Sequence, residues 1–161
     1  MDTIAIDPGH GGSDNKNRGI SGVYYEHFGN LEFSLKLQKE LAPYYDVILT
    51  RKDNSSLSLN NRAMVAIRNK ARLFVSIHSN AFSDKNAGGT SVYYSVNRPK
   101  DRDLARQVGE AVAKAYGIRF RGAKTRASTR YPGFDYYTVI NVATNYSKIS
   151  KNEPMRFLTS S

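Results

Sequence analysis

Three side chains of this sequence have the types and setting of a hydrolytic metal site: His10 in Asp7-Pro-Gly-His-Gly-Gly12, Glu26 in Tyr25-Glu-His27, and His78 in Phe74-Val-Ser-Ile-His-Ser-Asn80. Two imidazoles and one carboxylate fill three corners of a tetrahedral zinc ion and leave the fourth for water, the arrangement of catalytic rather than structural zinc. Alone, either histidine is more often a hydrogen-bonded loop or core residue, because imidazole fills many roles. Yet the chain has only three histidines, and two of them directly follow strand-like runs, which favours a shared ion. The third, His27, adjoins Glu26 and is expected to point away from the metal, toward the surface or the substrate.

The elements that must position these residues alternate along the chain. Thr3-Ile-Ala-Ile6 and Leu73-Phe-Val-Ser-Ile77 read as buried strands running into the loops of His10 and His78. In open α/β sheets ligands bind where strand ends give way to loops, so two such ends can converge on one ion. Residues 2–7 form the first strand, 30–41 a helix stopped by Pro43, 46–50 the second strand, and 60–70 a helix packing Ala63, Ala66 and Ile67. A strand at 74–77, an alternating strand at 89–94 and a helix at 101–116 capped by Gly117 complete the pattern. The order predicts a single-domain α/β sandwich with a mostly parallel or mixed central sheet flanked by helices.

With 161 residues, 40 % of them hydrophobic, the chain falls within the size of one domain that buries its own core. No run of eighteen apolar residues indicates a transmembrane helix. The first residues lack the basic start of a signal peptide, so the expectation is a protein made in the cytoplasm or an excised domain of a secreted protein. The absence of cysteine rules out disulfides and thiolate zinc ligands. The formal charge of +10, from 24 basic and 14 acidic residues, favours an anionic partner, though such an excess is most often a solubilising surface. Nucleic acid is set aside, because no zinc-finger, RRM or helix-turn-helix signature accompanies the charge.

The ordered set Asp7-Pro-Gly-His-Gly-Gly12, Glu26 with Asn30-Leu31, Leu49-Thr-Arg51, Leu59-Asn-Asn-Arg62 and Ser76-Ile-His-Ser-Asn80 resembles the zinc-dependent N-acetylmuramoyl-L-alanine amidases of the amidase 3 family over about residues 2 to 140. The resemblance implies that His10, Glu26 and His78 hold Zn²⁺, and that the substrate is the amide between N-acetylmuramic acid and L-alanine in bacterial peptidoglycan, cut by an endolysin or autolysin. It also implies a catalytic glutamate at the end of a hydrophobic strand. Glu153 stands about there, followed by Pro154, Phe157 and Leu158. Phe157 falls one position late, however, and Lys148, Ser150, Lys151 and Asn152 replace the expected apolar strand. Residues 1–161 are accordingly read as one amidase-like catalytic domain lacking the usual closing helix.

A carboxylate near the metal can carry the proton from the attacking water to the leaving amine, worth about 10²–10⁴ in rate. If Glu153 does not serve, zinc binding survives with hydrolysis largely lost. Lys124, Arg126 and Asn80 resemble the family's loops beside the site. The two basic residues there would meet a peptide-stem carboxylate, and a solvated loop is the alternative. Asn80 would shape the metal loop or cap backbone. Arg51 and Arg62 read as structural. Two other functions stay open: a zinc peptidase acting on the stem peptide, and a catalytically impaired, amidase-derived wall-binding module.

Overall fold

The computed structural model describes residues 1–12, 25–79, 88–142, 144 and 156–160. Its elements are β1 (Thr3–Pro8), α1 (Glu26–Leu41), β2 (Asp46–Leu49), α2 (Leu59–Arg68), β3 (Leu73–Ile77), β4 (Thr90–Tyr94), α3 (Arg102–Tyr116), β5 (Phe120–Lys124) and β6 (Arg156–Ser160). A short helical stretch at 138–142 precedes β6.

The six strands form one sheet in the order β2-β1-β3-β6-β4-β5. β2, β1, β3 and β6 run parallel, β4 is antiparallel to β6, and β5 is parallel to β4. The sheet is therefore mixed, with the parallel part carrying both strand ends that lead to His10 and His78.

Strand alternation sorts the core onto two faces. Ile4 and Ile6 of β1 pack with Leu49 and Ile77 against Phe33, Leu37 and Leu41 of α1. Ala5, between them in sequence, faces the other way with Phe74, where it meets Ala63, Ala66 and Ile67 of α2 and Val139 and Ile140 of the short helical stretch. α3 covers β4 and β6 through Ala105, Leu104 and Val108 against Val92 and Leu158. Its Gly109 is required by a close approach, because a Cβ there would collide with the Phe120 ring of β5. Gly117 closes α3 in the left-handed conformation, φ 62°, as its sequence position predicts.

Three expectations are corrected. α1 begins at Glu26, four residues before the predicted start, so the glutamate belongs to its first turn. β5 is a strand that the basic segment Phe120-Arg-Gly-Ala-Lys124 did not announce. The tail also holds a strand: β6 fills the gap between β3 and β4 and bonds to both. Ladder pairing and burial of Leu158, 1 % exposed, outweigh the weak strand preference of that sequence.

Candidate metal centre

His10 and His78 reach the site from neighbouring parallel strands, and Glu26 from the first turn of α1. Asp7 anchors the end of β1: its carboxylate accepts from Thr50 Oγ1 at 2.5 Å, Ser76 Oγ at 2.7 Å and the Arg62 guanidinium at 2.8 Å. Asp7 and Arg62 are both buried, 1 % and 4 % exposed, and buried charges need pairing of this kind. Arg62 also donates to the carbonyls of Pro8 (2.8 Å) and His10 (2.6 Å). Arg51 donates to Pro8 (2.9 Å), Gly9 (2.9 Å) and, across to α1, His27 (2.8 Å). Two arginines thus fix the loop that presents His10, whose φ of 61° lies in the left-handed region a non-glycine residue enters only when its surroundings hold it there. Both arginines are structural, as their sequence setting suggests.

Gly9 lets this loop lie against the other imidazole. A Cβ there would come within 2.5 Å of His78 Cε1 and 2.6 Å of the Ile77 carbonyl.

The three candidate ligands converge. Glu26 Oε1 lies 3.4 Å from His10 Nε2 and 3.2 Å from His78 Nδ1, and one donor atom from each residue falls within 4.8 Å of the others. Tetrahedral zinc with bonds of roughly 2.0–2.1 Å has ligand atoms about 3.3 Å apart, which the two measured separations match. The donor set, two nitrogens and an oxygen, also suits zinc. The imidazole centroids stand 4.9 Å apart at 83°, so both nitrogens face the carboxylate without stacking.

Glu26 is held in place by groups that bind its ionised form. Ser79 N–H donates to Oε1 at 2.8 Å and Asn30 Nδ2 at 3.3 Å. Burial pushes the carboxyl up, but the contacts with His10 and His78, the charge of His10 and the Ser79 amide outweigh it and hold Glu26 well below the usual carboxylate range. Asn30, 1 % exposed, also donates weakly to the Gly9 carbonyl and accepts from Ser79 Oγ at 3.0 Å, tying the loops of both histidines to α1. It sits four residues after Glu26, one turn on the same helix face. That spacing was the available signal for a positioning role.

His27 is not the surface or substrate-facing residue expected. It is 3 % exposed and its ring packs at 4.2 Å on Phe28, because α1 starts early enough to turn it inward.

The imidazoles open onto a cavity of about 630 Å³ lined by Asp7, Arg62, Tyr93, Arg126, Tyr136, Tyr137 and Thr159 among others. Arg126 stands on this wall, its guanidinium carbon 3.6 Å from the Tyr136 ring centroid. Burial pushes the Tyr137 hydroxyl up, against the pull of its hydrogen bond with Arg126 and with further help from Tyr93. Lys124 pairs with Tyr93 across β4 and β5 and does not line the cavity. Tyr93 carried no sequence signal, whereas Tyr136 and Tyr137 fall in Asp135-Tyr-Tyr137, a segment that resembles the amidase family's loop beside the site; folding brings the three onto one wall.

Asn80 and Glu153 lie outside the described residues. β6 follows residue 153, and its described residue that lines the cavity is Thr159, 4 % exposed and beside Ser76 of β3. Among the described lining residues the one carboxylate is Asp7, already committed to Arg62, Thr50 and Ser76.

A layered α/β domain with a two-histidine, one-carboxylate cluster at adjoining strand ends, open to a cavity on one side, has the build of a metallohydrolase domain. The family can be stated too: residues 4–153 match the amidase 3 family, described as N-acetylmuramoyl-L-alanine amidase, and the chain belongs to it. It is 33 % identical to N-acetylmuramoyl-L-alanine amidase LytC of Bacillus subtilis over 78 % of this chain and 26 % of that protein. It is 32 % identical to the probable cell wall amidase LytH of Staphylococcus epidermidis over 76 % of this chain and 40 % of that one. The catalytic domain of CwlV, an N-acetylmuramoyl-L-alanine amidase from Bacillus (Paenibacillus) polymyxa, superposes with a TM-score of 0.77 at 31 % identity, covering all of this chain and 79 % of that domain. The chain spans about a quarter to two fifths of the length of these curated relatives.

Proposed function

We propose that this chain, as one catalytic domain over residues 1–161, hydrolyses the amide between N-acetylmuramic acid and L-alanine in bacterial peptidoglycan, with zinc held by His10, Glu26 and His78. The observation that carries the reading is the convergence of these three side chains beside a cavity, in a chain of the amidase family. When bound, zinc supplies Lewis acidity to the water and to the scissile carbonyl. The chain's own residues do the rest. Glu26 stays ionised and Asn30 and Ser79 orient it, so the site is set before the ion arrives. The cavity beside the imidazoles has the size of a small-ligand pocket, which typically holds about 300–1,000 Å³. Arg126 and Asn80 are assigned to substrate binding, and Lys124, which is not among the cavity-lining residues, is given no such role. Glu153 is the carboxylate assigned to return the proton to the leaving nitrogen. No described helix is long and apolar enough to cross a membrane, and the reaction belongs at the bacterial cell wall.

Digestion of purified peptidoglycan tests this. Zinc-loaded protein is expected to release L-alanine amino termini without reducing sugar ends, and chelator-stripped protein to release neither. A different new terminal residue would identify a stem peptidase instead.

One observation favours a second reading, a binding module of impaired activity. The end of β6 beside the cavity carries Thr159, and the described wall offers no uncommitted carboxylate. On this reading Thr159→Glu raises turnover at least tenfold while zinc affinity stays within about twofold, since a placed general acid–base group is worth about 10²–10⁴. Unchanged or lower turnover in that variant, with loss of activity in Glu153→Gln, would return the role to Glu153.

A further inference from the structure

We infer that Arg126 reads a carboxylate on the stem peptide, so that the site prefers a stem whose second residue carries a free α-carboxylate over the same stem amidated there. The inference rests on the peptidoglycan reading above and specifies which chemical form of the stem is accepted.

Among the described residues two guanidinium groups line the cavity, and they differ in what they have left to give. Arg62 is buried and spends its donors inward, on Asp7 and on the carbonyls of Leu57, Pro8 and His10. Arg126 is exposed. Its contacts among the described residues are the Tyr136 ring, 3.6 Å from the guanidinium carbon, and the Tyr137 hydroxyl. No carboxylate among the described residues pairs with it.

Stacking on an aromatic face fixes the plane of a guanidinium while leaving its edge donors available, and that planar fork matches a carboxylate two bonds at a time. A carboxamide offers one acceptor oxygen and turns an N–H₂ toward the other donor, so it loses one bond and adds a repulsion.

The loop that holds Arg126 is built rigidly for its size. Ala127 bridges to Asp135, Tyr136 N–H donates to the Arg126 carbonyl at 2.9 Å and Ser128 N–H to Phe134 at 2.8 Å. Asp135, 3 % exposed, pins the loop to the end of β4 by accepting from Ser95 Oγ and Val96 N–H, both at 2.7 Å. The guanidinium is thus presented on a braced loop at the wall of the cavity that the two imidazoles also line, as a group that discriminates between ligands must be.

The test uses zinc-loaded full chain and two muramoyl dipeptides that differ only in a free or amidated α-carboxylate on the second residue. In both, the lactyl–alanine amide is N-methylated so that it resists cleavage. Calorimetric titration of wild type is expected to favour the acid at least tenfold. Arg126→Gln should bring the two within about twofold by weakening the acid alone, and Arg126→Lys should fall between, because an ammonium carries no planar fork. Equal affinities in wild type, a preference that survives Arg126→Gln, or no binding of either ligand would overturn the inference. Failure of hydrolysis on the unmethylated acid with the binding preference intact would instead count against the hydrolytic reading alone.

Discussion

At the scale of single residues, the candidate ligands His10 and His78 were legible because each histidine stands where an apolar run breaks into a loop, a pattern that survives without any tertiary information. The roles of Asn30 and Thr159 were harder to read, Asn30 having only its spacing from Glu26 as a signal and Thr159 deriving its meaning from what folding places opposite it. Alanine at His78 is expected to abolish both zinc binding and hydrolysis, with metal content of the purified variant as the direct check. Asn30→Ala separates positioning from ligation. It removes the donor to Glu26 and the acceptor for Ser79 while leaving all three ligands, and loss of such an outer partner typically costs about 10–100-fold in metal affinity. Competition against a chromophoric chelator should show zinc affinity lowered by that amount but not lost. Unchanged affinity would mean that the Ser79 amide alone orients the carboxylate.

At the scale of elements, the buried ion pair between Asp7 and Arg62 couples β1 to α2 and carries the His10 loop with it. Arg62→Ala leaves a buried carboxylate without its cation, and breaking such a pair from one side costs about 3–5 kcal/mol. Chemical denaturation of metal-free protein should show that loss. Arg62→Lys is expected to recover only part of it, because one ammonium cannot also reach the Leu57, Pro8 and His10 carbonyls. The element boundaries tell why α1 was read too short. Its buried residues are Glu26, His27, Asn30 and Ser34, of which Glu26, Asn30 and Ser34 form a polar stripe at four-residue spacing that mimics a loop to any search for apolar periodicity. Tyr25 provides no capping side chain, so the usual start signal is missing as well. α2 shows the opposite case: Ser58 accepts from Asn61 N–H, its apolar face is regular, and its predicted bounds fell within two residues of the observed ones. β6 was hidden because a strand read from Arg156-Phe-Leu-Thr-Ser160 has little alternation of its own and is made by the vacancy between β3 and β4.

At the scale of the molecule, the charge is uneven. Between Arg98 and Arg130 stand ten basic and three acidic residues. The three acids are engaged locally, Asp101 by Arg98 at 2.7 Å, and Asp103 and Glu110 by Arg106 at 4.0 and 2.9 Å. What remains is a basic edge on α3, β5 and the Arg126 loop, at the side of the sheet where β5 is the last strand among the described residues. Such charges protect a sheet edge from pairing with other chains, and they also draw the molecule to anionic surfaces at low salt. The two roles predict different things. If the edge recruits the protein to walls bearing anionic polymers, pelleting with intact walls should weaken at least tenfold between about 50 and 500 mM salt, as screening shortens from roughly 14 to 4 Å. Walls stripped of those polymers should bind weakly at every salt concentration. Substituting Arg121 and Lys114 by glutamate should reproduce the loss at low salt without altering the affinity for a small muramoyl dipeptide, because neither side chain lines the cavity. If wall binding were instead insensitive to salt and to both substitutions, the basic edge would be protective only, and affinity for the wall would reside in the cavity, where Arg126→Gln then becomes the variant that releases the protein.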